Sequence, residues 1–281
     1  MRRPITGCAT SPDAETARPS SKDGPSRSCQ YAGVALASLL ALAGASGAAA
    51  QSLLPRLAAM PADLEIRYAL SAAPPALREA ATVYRLDPDR GYILARTGDN
   101  GLACLVQRTA WELVDFRDDI FIPLCYDAAG LEGHFKAIID VARLRAEGLG
   151  PDEIKVRIET SYADGAYEPP GRTGLSYMVS PVMRTVGPPD LSVRTMVMPH
   201  LMFYAPGLTN ADIAAAPDLS DAASLMNPFV DRQGHDAQSY VIVMTGAAEK
   251  AHILEQEAEL VADLCAYRNV LCLRRGHDHD Q

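Results

Sequence analysis

Beyond residue 50, no hydrophobic run in this 281-residue sequence is long enough to cross a bilayer. Basic residues are also scarce, with 26 against 35 acidic ones and a formal net charge of -9. A nucleic-acid partner calls for a basic surface, so that balance argues against one. No run of like charge is long enough to read as an interaction tail. No C-x-x-C is present, which removes the usual spacing of a redox pair or a thiolate zinc site. G-x-S-x-G, H-E-x-x-H, a phosphate loop and a dinucleotide fingerprint are missing too. Nothing therefore names a reaction class, and the sequence calls for no cofactor.

What is present begins with 31-YAGVALASLLALAGASGAAA-50, an uncharged apolar segment preceded by Lys22 and Arg27 and ending in an A-x-A pattern. These features read as a secretory signal cleaved after Ala50, following a Ser- and Pro-rich disordered lead-in. The expectation is an exported protein, periplasmic or extracellular, whose residues 51–281 form a single domain that needs no membrane after cleavage. Five of the 26 basic and three of the 35 acidic residues lie in 1–50, so the remainder carries 21 against 32, a net of -11. Cys8 and Cys29 fall in the removed part, leaving Cys104, Cys125, Cys265 and Cys272. An even number in an exported chain points to two disulfides. Four cysteines allow three pairings; Cys104–Cys125 and Cys265–Cys272 are favoured because each pair is close in sequence.

The hydrophobic pattern predicts an α+β fold. Two short helical pieces over 62–81 are interrupted by Pro74-Pro75. Segments 82–86, 92–96 and 102–107 alternate as strands between strong turn signals and read as an N-terminal antiparallel meander. A fourth strand near 119–126 would bring Cys125 to Cys104. Central helices follow. One spans about 130–147, striped by Leu131, Phe135, Ile138 and Ala142. The next begins at Pro151, where Ile154, Ile158 and Tyr162 fit a helix and Gly165 stops it. Further strands are expected at 174–180, 196–204 and 239–245, a short helix at about 210–216, and a long C-terminal amphipathic helix over 247–267.

The richest chemistry lies in 195-TMVMPHLMFYAP-206. Met196, Met198, His200 and Met202 stand two apart and would share one face of a strand. Thioethers and imidazole suit Cu(I), so a periplasmic copper-binding protein is one alternative. The other face is Val197, Pro199, Leu201 and Phe203, which argues for a buried core strand, irregular at Pro199. His200 is polar in apolar surroundings and needs a partner. His235 precedes the strand at 239–245, and a hydrolase cleft formed by His200 and His235 is the second alternative. Asp115, Asp118 and Asp119 read as a solvated loop, Ser176 and Ser180 lack a nearby base, and His277 and His279 belong to a frayed end.

The block 174-GLSYMVSP-181 followed by 199-PHLMFYAP-206 resembles a pattern of uncharacterised exported bacterial proteins, and 71-SAAPPALREAATV-83 with 101-GLACLV-106 resembles their front half. The resemblance implies export and a shared fold, with no assigned activity and no catalytic residue to carry over. The leading expectation is a non-catalytic binding or interaction protein, its partner a small molecule or a protein.

Overall fold

The central strands 103–107 and 122–126 are nearly continuously apolar and buried, which gives a sheet covered on both faces. The computed structural model describes residues 56–273; the segments expected to be a signal and its lead-in, and the His277/His279 tail, lie outside them. The first elements are α1 (Ala62–Ser71) and α2 (Pro75–Arg78), separated at Pro74. Next come β1 (Thr82–Asp87), β2 (Gly91–Arg96), β3 (Ala103–Gln107) and β4 (Ile122–Tyr126). A single π turn at Leu131–Phe135 leads into α3 (Lys136–Ala146), and α4 (Pro151–Ala163) follows. The second half adds β5 (Leu175–Met178), β6 (Met183–Gly187), β7 (Ser192–Met196), β8 (His200–Tyr204), α5 (Ala222–Leu225), β9 (Phe229–Asp231) and β10 (Tyr240–Met244). It ends in α6 (Ala247–Gln256) and α7 (Ala258–Tyr267).

Eight strands make one mixed sheet in the order β2-β1-β3-β4-β5-β8-β10-β9, and β6 with β7 forms a separate hairpin. The fold is α+β, with helices on both faces. Val83, Cys104, Val106 and Cys125 face α1 and α7, where Tyr68, Leu260 and Leu264 complete the packing. The alternate residues Leu105, Leu124 and Tyr126 face Phe135 and Ile138 around α3. Beyond α3, its Ala137, Val141 and Leu144 pack on Ile154 and Ile158 of α4. Those two isoleucines are fully buried while Val156 is exposed, so the helical reading of this segment is the one the chain adopts. At the start of α4 the Glu153 carboxylate reaches back to accept from Gly150 N–H at 2.8 Å, and Gly165, at positive φ, follows its end.

Several expectations are corrected. The first three strands do not form an antiparallel meander: β3 pairs with β1, in parallel, instead of with β2. After β2 the chain crosses the end of β1, held by Asp99 N–H and Asn100 N–H to the Ala80 carbonyl at 2.9 and 3.2 Å. The strand expected over 196–204 is two strands. Met196 ends β7 in the hairpin, and β8 starts at His200, because Pro199 has no N–H to donate to a ladder. The long C-terminal helix is broken at Glu257 (φ -103°, ψ 18°) into α6 and α7. The short helix at 210–216 is a single 3-10 turn, Ala211–Ile213.

Both disulfides form as paired from spacing, Cys104–Cys125 and Cys265–Cys272. Cys104 and Cys125 stand directly opposite each other on β3 and β4. The second bridge ties the end of α7 to the segment after it. Among the described residues, no helix is long and apolar enough to cross a membrane.

Candidate functional site

His200 opens β8 with its side chain on the α3 side of the sheet and is 4% exposed. Its Nδ1 lies 2.7 Å from the carbonyl of Met198. A carbonyl only accepts, so Nδ1 carries the proton and Nε2 keeps the lone pair. Burial lowers the pKa of the ring, which is neutral at pH 7, with the Met198 hydrogen bond and the charge of Asp231 opposing that effect. Nε2 has no hydrogen-bond partner among the described residues and is not one of the fully buried unpartnered atoms, so it touches solvent.

The expected row of four ligands is not assembled as a row. Met196 belongs to the hairpin and Met198 to the break, so only His200 and Met202 share strand β8. Met202 is fully buried, and its sulfur accepts from Gln233 Nε2 at 3.4 Å. The sheet register supplies other neighbours. His200 stands directly opposite Met178 of β5 on one side and Met244 of β10 on the other.

His200 and His235 are not brought together. In the β8–β10 ladder His200 faces Met244, whereas Tyr204 faces Tyr240, the end from which His235 departs. Four residues of strand, about 13 Å, separate those ends. His235 instead stacks on Tyr162, ring centroids 4.1 Å apart, and its Nδ1 accepts from Ala237 N–H.

The acidic loop is not simply solvated. Asp119 is buried between two guanidiniums, 2.8 Å from Arg117 Nε and 2.6 Å from Arg184 Nη2, and Asp118 meets Arg268 at 3.2 Å. Hydrogen bonds from both arginines hold the Asp119 carboxyl below its ordinary range, although burial alone would raise it. Ser180 bonds Ser71 and the Val182 carbonyl, as a structural hydroxyl does. Among the described residues, no group of three His, Cys, Asp or Glu is placed to hold a metal ion.

Two buried polar clusters had no sequence signal. In the first, His134 packs edge-on to Tyr204 and Tyr240 at 5.1 and 4.8 Å. Its Nε2 donates to the Ala237 carbonyl at 2.9 Å, while Nδ1 is buried with no hydrogen-bond partner among the described residues. Burial pushes its pKa down to about 4, so the ring is neutral. Tyr126 and Tyr240 share a hydroxyl–hydroxyl bond of 2.9 Å beside Ser176, whose Oγ is likewise buried and unpartnered. Gly130 makes room for this cluster: a Cβ there would stand 2.3 Å from the Tyr204 hydroxyl. Helix periodicity could place His134 on α3's approach but not against tyrosines from three distant strands.

In the second cluster, Glu65 of α1 is 1% exposed. One carboxyl oxygen accepts from Leu86 N–H at 2.7 Å and the other is buried without a partner. Burial pushes its pKa up to about 7. Arg108, also 1% exposed, donates to the carbonyls of Ile120, Asp118 and Ala58 and lies 3.8 Å over the Phe121 ring.

On the opposite edge of the molecule, beside β9 and β10, an open groove of about 520 Å³ is lined by Ile213, Pro217, Asn227, Phe229 and Val241, among others. Ile213 and Met226 are exposed apolar side chains in this region. Compared with known proteins, this chain matches no family model, no curated protein and no solved structure.

Proposed function

We propose that this is an exported, non-catalytic binding protein whose ligand is a small amphipathic molecule seated in the groove beside β9 and β10. The groove itself carries this reading. Its 520 Å³ falls within the range of small-molecule sites, which span about 300–1,000 Å³, and its surface is polar and apolar in equal parts, with Asn227 and Ser224 beside Ile213, Phe229 and Val241. The hydrolase alternative loses its support because His200 and His235 sit at opposite ends of the β8–β10 ladder.

The probe is 1-anilinonaphthalene-8-sulfonate, titrated into the full chain. Saturable binding of one molecule per chain is expected, weakened at least tenfold by Ile213→Glu, which sets a carboxylate in the apolar wall. Non-saturable binding, or an affinity indifferent to Ile213→Glu, would remove the groove as the site.

Export belongs to the same reading. Two disulfides and the apolar segment ending in Ala48-Ala49-Ala50 support it. N-terminal sequencing of the protein from an exporting host should find Gln51 first in the periplasmic or extracellular fraction; retention in the cytoplasm with an intact N-terminus would contradict export.

A further inference from the structure

We propose that His200 Nε2 and the thioethers of Met178 and Met244 form a three-coordinate Cu(I) site, separate from the groove. The ligand set differs from the one sequence spacing offers. Residues directly opposite in antiparallel pairs share a face with Cβ atoms about 4.5–5.5 Å apart. Met178, His200 and Met244 occupy three adjacent strands at one level, so the imidazole is flanked on both sides by a methionine. The pattern places two thioethers within side-chain reach of one imidazole.

The imidazole is set for the role. Its Nδ1–H is committed to the Met198 carbonyl, which fixes the tautomer and aims the lone pair of Nε2 away from the backbone. Nε2 makes no hydrogen bond to a described residue and is not among the fully buried unpartnered atoms, so it touches solvent and its lone pair is open to a ligand. Around it the side chains are thioethers. Met178, Met183 and Met202 are buried in the same cluster, with Met196, Met198 and Met244 packed against them. Soft sulfur with one neutral nitrogen selects Cu(I) over zinc, calcium or magnesium, which take thiolate, imidazole and oxygen sets. Met244 and Met198 are only half-buried, which gives a metal a way in from solvent.

The test uses the full chain carrying Cys8→Ser, Cys29→Ser, His277→Ala and His279→Ala, so that neither free thiols nor the histidine tail competes for copper. Cu(I) is supplied under ascorbate without oxygen, and affinity is read by competition with bicinchoninate. One Cu(I) per chain is expected, with sulfur and one imidazole in its X-ray absorption spectrum. Met178→Leu and Met244→Leu, which keep side-chain volume, should each weaken binding at least tenfold, and His200→Ala should abolish it. Met226→Leu, at an exposed position, should change nothing. No stoichiometric Cu(I), a copper spectrum without sulfur, or affinity unmoved by Met178→Leu and Met244→Leu overturns the proposal.

Discussion

Gly98→Ala is expected to destabilise the protein by more than about 3 kcal/mol, the cost of forcing atoms into a packed site whose neighbours are backbone. A Cβ at Gly98 would lie 2.1 Å from the Ala80 carbonyl oxygen, 2.3 Å from the Ala81 carbonyl carbon and 2.6 Å from Thr82 N. None of these is the tip of a flexible side chain, so the clash can be relieved only by moving the chain. The chain in question is the crossing that carries β2 past the end of β1 into β3. Gly98 N–H also donates to Thr82 Oγ1 at 3.0 Å, and Asn100 Nδ2 to the Leu77 carbonyl at 2.8 Å. Displacing this loop therefore loosens the parallel β1–β3 pair on which Cys104 and the rest of the sheet depend. Gly171→Ala, where an added Cβ meets nothing within 4 Å, is the control and should stay within about 0.5 kcal/mol of the parent. A urea midpoint for Gly98→Ala equal to that of Gly171→Ala would show that the crossing is not a tight clamp.

The same glycine marks where the sequence stops being legible. Strand positions 82–86, 92–96 and 102–107 are set by local alternation, and the turn at Asp87–Gly91 makes the first pair antiparallel by its length alone. Whether a third strand lies beside the second or crosses to the first is decided by backbone contact at Gly98 with Ala80 and Ala81, which no periodicity reports. Helix α4 was legible because burial of Ile154, Ile158 and Tyr162 is a local pattern with a capping signal in front of it. The row at 195–206 was misjudged for the opposite reason: its two-residue spacing continues through Pro199, while the hydrogen-bond ladder does not. The flanks of His200 come from Met178 and Met244, 22 and 44 residues away, and only strand order places them there. The disulfides were legible because each pair is close in the chain; the His134 and Glu65 clusters were not, because their partners lie far off.

Glu65→Gln is expected to make the protein more stable above neutral pH, by on the order of 3 kcal/mol at pH 8, and to change little at pH 4.5. The Glu65 carboxyl titrates at about 7 in the folded chain, against an ordinary value of 4.5. Between those values the folded protein holds a proton that the unfolded chain releases, so stability falls as pH rises through that window. The stabilisation of the protonated form is complete below 4.5 and is lost as pH passes 7. Burial outweighs the Leu86 hydrogen bond and the charges of Arg108 and Arg85, which pull the other way, and Arg108 spends donors on the carbonyls of Ile120, Asp118 and Ala58. Glutamine keeps an oxygen for the Leu86 N–H and cannot ionise, so it mimics the protonated acid. Glu65→Leu would leave that buried N–H unpaired and should be about 1–3 kcal/mol less stable than Glu65→Gln at every pH. His134 acts with the opposite sign: its folded pKa of about 4 lies below the ordinary 6.5, so its contribution is present above 6.5 and lost as pH falls toward 4. Because both effects overlap between 4.5 and 6.5, the parent's own pH profile does not isolate Glu65. The difference between parent and Glu65→Gln does, since His134 cancels in it. Urea unfolding of both proteins from pH 4.5 to 8 reads that difference, and a constant offset across the range would mean that Glu65 is ionised in the folded state throughout.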